Sequence, residues 1–278
     1  MDSGVFIGVV GASAIAAGLL GALTGLGGGV VLTPILVLAL GVDVHYAVGA
    51  SLVAVIATSS GSAAAYVRDG YSNIRIGMLL EVGTVFGALV GALIAKWLPG
   101  TVITLVFGAV MIWTAWASRK PPTPSPHIDR PDPLAQKLNL DGDYPTKEGL
   151  THYHVQRVPA GFAIMFLAGA LSAIAGIGSG ILKVFAMDRV MQLPFKVSTT
   201  TSNFMIGVTA AASAGVYLHR GQIEPAVAAP VAGGALIGSF LGAKILPGVK
   251  TKRLRVIFAL AVGLAGIQMV VKGLGVHL

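Results

Sequence analysis

Long apolar stretches separated by short polar ones dominate this chain. Nearly unbroken apolar runs occupy residues 5–23, 48–67, 76–94, 102–117 and 256–271. A helix needs about 20 consecutive apolar residues to cross the hydrocarbon core of a bilayer, and each run approaches that length. The pattern therefore predicts an all-α, polytopic helical membrane protein.

One glycine-broken apolar element occurs twice, at residues 18–30 and 169–181. Residue 25 corresponds to residue 176, an offset of 151 positions, and this register continues without a gap through the helices that follow. It pairs Ser51 with Ser202, Thr58 with Thr209, Ser62 with Ser213, Gly83 with Gly234, Gly87 with Gly238 and Gly91 with Gly242. Such a register indicates a duplication, and glycines at four-residue spacing favour close helix packing in lipid.

A polar, proline-rich stretch separates the two copies. We therefore predict a first transmembrane repeat over residues 1–118, a loop over 119–156 and a second transmembrane repeat over 157–278. Each repeat is expected to contain a glycine-broken helix hairpin, in which a short helix follows a long one, and then three spanning helices.

The basic residues predict how the repeats are oriented. If each glycine-broken pair crosses the membrane once, the lysines and arginines other than Lys183 divide 10 to 8 between the two sides. If each pair is a hairpin, 15 lie on one side and only Lys96, Arg220 and Lys272 on the other. An excess of this kind marks the cytoplasmic side. The hairpin arrangement makes the repeats inverted, with both termini outside and the 119–156 loop in the cytoplasm.

Composition excludes several classes of function. Hydrophobic residues make up 55% of the 278 positions and charged residues 11%, with a mean hydropathy of +0.83, which excludes a soluble protein. The net charge of +8 arises from residues that flank apolar runs, which indicates contact with membrane lipid and not with nucleic acid. There is no cysteine. Because His127, His152 and His154 lack a carboxylate at metal spacing, we expect a solvated face and no metal or cofactor.

The two glycine clusters are candidate substrate sites. A helix that begins after such a break directs free N–H groups and a partial positive charge towards an anion. The candidates are Gly27, Gly28 and Gly29 in the first copy and Gly178, Ser179 and Gly180 in the second. The alternative is that the glycines only form tight hairpin turns. A nucleotide site is disfavoured, because no strand precedes either cluster and no Gly-Lys-Ser/Thr follows.

Two charges lie inside apolar segments. Lys183 stands where the first copy has Leu32, and Glu81 is the only acid deep in an apolar helix. Lys183 could bind the anion or pair with Glu81, because intramembrane charges need a partner; alternatively it snorkels to the headgroups. Glu81 could couple transport to protons, or it could serve in a structural hydrogen bond or ion pair.

Polar side chains of the long helices that follow the breaks could add hydrogen-bond donors. Ser51 in the first copy, and Ser202 and Asn203 in the second, are the candidates for substrate binding. The run 198–203 follows Pro194 and contains more polar residues than a helix cap requires. The alternative is that each side chain caps its helix or bonds a carbonyl of its own helix.

The segment 21–34, Gly-Ala-Leu-Thr-Gly-Leu-Gly-Gly-Gly-Val-Val-Leu-Thr-Pro, resembles the glycine-rich signature of the TauE/SafE sulfite exporter family. The cluster 176–180 stands where that family has a second copy, and 193–207 is similar to one of its branches. The resemblance implies a plasma-membrane transporter of sulfite or other small sulfur-containing or organic anions. The second copy departs from it with Ser179 for a glycine and Phe185 in place of Pro34.

Together these features predict a transporter that exports a small oxyanion, most simply sulfite, by alternating access around the glycine breaks. The alternatives are a passive anion channel and an importer of a different small anion. An intramembrane enzyme is disfavoured, because no nucleophile stands with a base or a metal cluster. The expected partners are the anionic substrate and membrane lipid, and the oligomeric state is left open, with a homodimer as one alternative.

Overall fold

The protein is a bundle of long apolar helices with a small polar unit at one end. A computed structural model describes residues 3–24, 27–68, 72–118, 132–146, 149–175, 180–245 and 251–275. The helices of the first half are α1 (Ser3–Thr24), α2 (Gly29–Pro34), α3 (Val44–Arg68), α4 (Ile74–Ala95) and α5 (Gly100–Ser118). Those of the second half are α7 (Val158–Ala175), α8 (Gly180–Phe185), α9 (Phe195–His219), α10 (Pro225–Ile245) and α11 (Thr251–Gly273).

Each short helix continues into a π-helical turn, Ile35–Ala39 after α2 and Ala186–Val190 after α8. Helix α2, its π-helical turn and α3 recur in the second half with their bounds displaced by 151 positions. The turn is present in both halves although only the first has Pro34, so the proline is not its cause. The structure thus repeats the period that the sequence shows.

Several helices are long and apolar enough to span a membrane. Within the described residues, four meet that criterion by length and composition, at Gly4–Ala22, Val44–Ala63, Ile74–Ala95 and Pro225–Ile245. Shorter apolar helical stretches include Gly100–Trp113, Val158–Ile174 and Val262–Gly273. The chain is an all-α polytopic membrane protein, as the hydropathy pattern predicts.

Glycine stripes bring helices of opposite halves together. A Cβ atom at Gly87 of α4 would overlap the carbonyl oxygen of Phe166 in α7, and one at Gly91 would overlap that of Ala170. The corresponding Gly238 of α10 meets the carbonyl oxygen of Ile15 in α1. Helix α4 therefore packs along α7 as α10 packs along α1. Only glycine allows the two backbones of each pair to approach so closely.

The central helices α3 and α9 run in opposite directions. The hydroxyl of Ser59 donates to the carbonyl of Asn203 and accepts from the N–H of Gly207 at 3.1 Å. Gly49, near the start of α3, lies against Gln222, just beyond the end of α9. These contacts pair the beginning of one helix with the end of the other. Helices α5 and α11 are antiparallel as well, because Gly108 contacts Gly266 and Val270 whereas Ala115 contacts Gly263.

The unit between the halves, residues 132–156, is called the cap here. It consists of α6 (Pro133–Lys137) and an antiparallel hairpin of β1 (Gly142–Thr146) and β2 (Gly149–Tyr153). Buried Leu140, Tyr153 and Val155 join a hydrophobic cluster with residues of α4 and of the π-helical turn that follows α8. Asn73 caps the start of α4 and donates its side-chain amide to Leu140 O at 2.9 Å and to the Tyr153 hydroxyl at 2.7 Å. The cap is thereby fastened to one end of the bundle.

Candidate functional site

The first glycine break reverses the direction of the chain. Gly27 has a φ of +80°, a conformation that favours glycine. A Cβ atom at Gly21 would lie 2.6 Å from the nitrogen of Gly28, and one at Gly28 would lie 3.3 Å from the carbonyl oxygen of Ala17. Residues that precede and follow the break are therefore side by side. Helices α1 and α2 form a hairpin whose tip contains the break, and Gly29 begins α2 without a side-chain cap at Gly28.

The tip of this hairpin lies between α3 and α9. A Cβ atom at Gly27 would lie 3.4 Å from Val55 of α3 and 3.5 Å from Ile206 of α9. One at Gly28 would lie 3.0 Å from the Thr58 hydroxyl. On the same helix, Ser51 accepts a hydrogen bond from Thr33 of α2 at 2.6 Å. Both hydroxyls are buried.

In the second half, part of the break is outside the described residues. Gly178 and Ser179 belong to the undescribed stretch 176–179, so their predicted roles are not addressed by the geometry. Gly180 is described; it begins α8, and its carbonyl accepts a hydrogen bond from Ser202 at 3.2 Å. Asn203 is buried, and its carbonyl accepts from Ser59. Ser202 thus joins α9 to α8 as Ser51 joins α3 to α2.

Lys183 is buried at the centre of a three-residue cluster, which we call the charge cluster. Its ammonium nitrogen lies 3.3 Å from Oε2 of Glu81 and donates to the hydroxyl of Thr209 at 2.5 Å. That hydroxyl in turn donates to Oε1 of Glu81 at 2.5 Å. The exposed fraction is 0% for Lys183 and 6% for Glu81, so Lys183 does not snorkel to the headgroups. The two charges neutralise each other inside the bundle, which burial of either one requires.

The charge cluster joins the two halves of the molecule. Glu81 belongs to α4 of the first half, whereas Lys183 and Thr209 belong to α8 and α9 of the second. At an offset of 151, Glu81 corresponds to Ala232, Lys183 to Leu32 and Thr209 to Thr58. Thr58 donates to the carbonyl of Ala54 in its own helix at 2.7 Å. The cluster therefore breaks the symmetry of the repeat, because it gives one side of the site two charged side chains where the corresponding positions of the other side are Leu32 and Ala232.

A single face of α9 connects these features. Ser202, Ile206 and Thr209 follow the i, i+4, i+7 spacing of one helix face. They contact Gly180, Gly27 and the charge cluster, respectively. Helix α3 presents Ser51, Val55 and Thr58 at the corresponding positions. About two turns of α9 therefore contact the described parts of both breaks and the charge cluster, and bring them together at the centre of the bundle.

Two polar groups of the site are not among the sequence candidates. Thr209 pairs with Thr58 in the repeat, but only the fold brings it to Lys183 and Glu81. Ser172 in α7 is buried, and within the described part of the chain its hydroxyl has no hydrogen-bond partner. It corresponds to Gly21, which contacts the first break. That correspondence is the sequence signal that identifies Ser172.

The histidines of the cap are not simply solvated. His127 is outside the described residues. His152 and His154 each hold a carboxylate within 2.8 Å of Nδ1, at Asp143 and Asp141 respectively. For His152 and His154, the prediction that no carboxylate accompanies them at metal spacing is wrong, because the hairpin brings them to residues that are 9 and 13 positions away in sequence.

A separate surface cavity of about 380 Å³ is lined by Phe6, Ile7, Val42, Tyr46, Glu224, Ala226 and Val227. Its walls are the first turns of α1, α3 and α10 with the adjoining loops. It therefore lies near one end of the bundle, away from the glycine break at the tip of the α1–α2 hairpin.

Comparison with known proteins gives a consistent result. The family model described as "Sulfite exporter TauE/SafE" matches residues 10–269. The chain is 28% identical to "Probable membrane transporter protein YunE" of Bacillus subtilis (strain 168), over 93% of this chain and 95% of that protein. It is 25% identical to a "Probable membrane transporter protein" of Xylella fastidiosa (strain 9a5c), over 86% of this chain and 82% of that protein. No solved structure matches significantly.

Proposed function

The chain belongs to the TauE/SafE sulfite exporter family, and from this premise we propose that it exports sulfite or a related small sulfur-containing or organic anion. Membership makes it a membrane transporter and not an enzyme. The substrate, the outward direction of transport and the location in the cell membrane are what we propose beyond family membership. They rest on the family and on a buried cation that contacts the same helix, α9, as the described residues of both breaks.

The observation that carries the proposal is the buried charge cluster. Lys183 is a fully buried cation in α8, and it contacts α9, the helix that the described residues of both breaks also contact. An anion that reaches the breaks can replace Glu81 as the partner of Lys183. Backbone N–H groups of the breaks, together with the Ser51 and Asn203 side chains, would supply further donors, and Ser202 would add one by turning its hydroxyl hydrogen away from Gly180 O.

Charge balance suggests a role for Glu81. The Lys183–Glu81 pair is neutral, so a bound monovalent anion adds one negative charge to a region of low dielectric constant. Uptake of one proton by Glu81 would restore neutrality and release Lys183 to the anion. In this scheme the anion moves with a proton, and the larger of the two gradients sets the direction. An outward substrate gradient drives export; a large inward proton gradient would instead drive import, which is the alternative direction.

Alternating access requires two arrangements of the halves around one site. The antiparallel courses of α3 with α9 and of α5 with α11 support an inverted relation between the repeats. Because Glu81 belongs to the first half and Lys183 to the second, replacing their contact with an anion contact alters a bond between the halves. A passive channel would bind the anion at the same site without rearranging the contact between the halves.

The described basic residues support the proposed orientation, with both termini outside and the cap in the cytoplasm. Arg75 donates to Asn139 O of the cap at 3.3 Å. At the opposite end, Arg220 donates to the carbonyl of Ala92 at 2.6 Å, and Lys272 donates to that of Val37 at 2.9 Å. Two of the three basic residues assigned outside thus contact the end of α4 and the π-helical turn after α2, far from the cap.

The proposal is tested by radiolabelled sulfite flux in proteoliposomes that contain the full-length protein. Thiosulfate, sulfate and small sulfonates serve as competitors, and flux is measured with and without a proton gradient. We expect saturable flux and trans-stimulation, which a passive channel lacks. Absence of sulfite flux from correctly reconstituted vesicles would overturn sulfite as the substrate.

Two variants separate the site from general charge effects. Lys183→Met should reduce flux at least tenfold, whereas Lys272→Met, which removes a lysine bonded to a backbone carbonyl at the bundle end, should retain it. Glu81→Gln should abolish the response of flux to the proton gradient. Equal flux in the two lysine variants would remove Lys183 from the site.

A further inference from the structure

The β1–β2 hairpin of the cap places two acids opposite two histidines. In its register, Asp143 of β1 faces His152 of β2, and Gly142 faces Tyr153. One step further along the same ladder, Asp141 faces His154, and their side chains are in contact. Because residues two apart on a strand share a face, all four side chains lie on one side of the hairpin.

These side chains converge on a small volume. One ligand atom from each of Asp141, His152 and His154 lies within 4.8 Å of the others. The two imidazole rings are 4.9 Å apart between centroids. Asp141 and His154 are half-buried and His152 is exposed, so an ion could reach the group from solution. Three ligands at this separation need only small side-chain movements to bind one ion.

The surrounding contacts hold the group in position. Asp141 accepts a hydrogen bond from the N–H of Val155 through Oδ1 at 2.8 Å, while Oδ2 faces His154. Tyr153, between the two histidines, points to the opposite face, where it is buried and accepts from Asn73. Burial raises the pKa of Tyr153 to about 12, so the phenol is neutral and this anchor carries no charge. Because Tyr153 points towards the bundle, its sequence neighbours His152 and His154 point to the opposite face of the hairpin.

We propose that Asp141, His152 and His154 bind a divalent transition-metal ion of the zinc class. Imidazole nitrogens combined with a carboxylate oxygen suit Zn²⁺, whereas Mg²⁺ and Ca²⁺ prefer sites made of oxygen atoms alone. Asp143 accepts from Nδ1 of His152 and so directs Nε2 towards the ion, as carboxylates do behind metal-binding histidines. The ion takes the place of the hydrogen that His154 shares with Asp141, and water completes its coordination.

An ion at this position would stabilise the attachment of the cap. His154 is two residues before Gln156, whose N–H donates to Met191 O at 3.0 Å, and α7 begins at Val158. The ion would link this segment to Asp141, which precedes β1 and faces His154 at the open end of the hairpin. Binding to the folded state alone raises stability in proportion to the logarithm of ion concentration.

The test is a Zn²⁺ titration of the full-length protein, carried on a tag without histidines and freed of metal by a chelator. We expect one saturable Zn²⁺ site per chain, and Co²⁺ in its place should give the visible absorption of a low-symmetry site. Mg²⁺ should not compete. Absence of saturable Zn²⁺ binding in the micromolar range would overturn the proposal.

Variants of the chain locate the ion. His152→Ala/His154→Ala should abolish binding, and Asp143→Asn should weaken it by about 10- to 100-fold. The matched control is His45→Ala, because His45 forms a similar pair with Asp43, Nδ1 to Oδ1 at 3.0 Å, without a second histidine. Zn²⁺ should raise the unfolding temperature of the unaltered chain and of the control but not of the double variant.

One further variant covers the case in which the double variant does not fold. His152→Asn changes only the exposed histidine and leaves the contacts of Asp141 intact. It should fold as the unaltered chain does and bind Zn²⁺ at least tenfold more weakly. Undiminished binding in His152→Asn, or in the folded double variant, would place the ion elsewhere and overturn the proposal.

Discussion

Lys183 is the side chain on which the proposed mechanism depends most. In the sequence it is a cation within an apolar run, and burial explains why it needs a partner. Glu81 supplies the opposite charge and Thr209 connects the two, so each member satisfies the others. A pair of this kind contributes little net stability, but loss of one partner leaves the other charge uncompensated.

This asymmetry predicts a non-additive pair of substitutions. Lys183→Met or Glu81→Gln alone should destabilise the protein, with about 3 to 5 kcal/mol expected when one partner of a buried pair is removed. The double variant should recover most of that loss, because no buried charge then remains. Thermal unfolding in one detergent measures all three. Additive losses in the double variant would contradict a coupled pair.

Ser172 yields a prediction about affinity. Its buried hydroxyl has no partner among the described residues, and we propose that it donates to the substrate at the second break. Ser172→Ala should raise the KM for sulfite several-fold and leave the unfolding temperature nearly unchanged, because no hydrogen bond to a described residue is lost. Ser202→Ala is the comparison; it removes the bond to Gly180 O and should cost about 1 kcal/mol of stability. An unchanged KM in Ser172→Ala would exclude that hydroxyl from the substrate site.

Among the elements, α4 and α10 carry glycine stripes that allow another helix to approach closely. Their partners are α7 and α1, so each long helix that precedes a glycine break packs on a helix of the other half. Lipid supplies no hydrophobic force between helices, and close backbone approach therefore provides much of the attraction. The repeat predicts this packing surface, but the identity of the partner follows only from the fold.

Two glycines of α10, one inside the stripe and one outside it, test the stripe. A Cβ atom at Gly238 would overlap the Ile15 carbonyl oxygen, whereas one at Gly233 meets nothing within 4 Å. Gly238→Ala should therefore destabilise the protein by about 1 to 3 kcal/mol through overpacking. Gly233→Ala should be neutral or slightly stabilising, because alanine favours the helix. Unfolding temperatures compare the two, and equal values would refute close packing of α10 on α1.

In the molecule as a whole, the cap lies at one end of the bundle, and the first turns of α1, α3 and α10 lie at the opposite end. The proposed orientation assigns the cap to the cytoplasm. Because the chain has no cysteine, single introduced cysteines report this without background.

Leu150→Cys in the cap and His219→Cys at the end of α9 place thiols at exposed positions of opposite ends. A membrane-impermeant maleimide should label the His219 variant in intact cells and the Leu150 variant only after permeabilisation. The reverse pattern would invert the topology, and labelling of both in intact cells would refute a cytoplasmic cap.

Hydropathy and the 151-residue period by themselves determine that this chain is a duplicated helical membrane protein, and they single out Lys183, Glu81 and the glycine breaks. These properties are local, because a lipid environment imposes helix length and apolarity on each segment separately. Only the tertiary structure decides that Lys183 meets Glu81 and Thr209, that α4 pairs with α7, and that Asp141 meets His154. Those contacts join residues distant in sequence, and no periodicity along the chain encodes which distant surface will fill a given face.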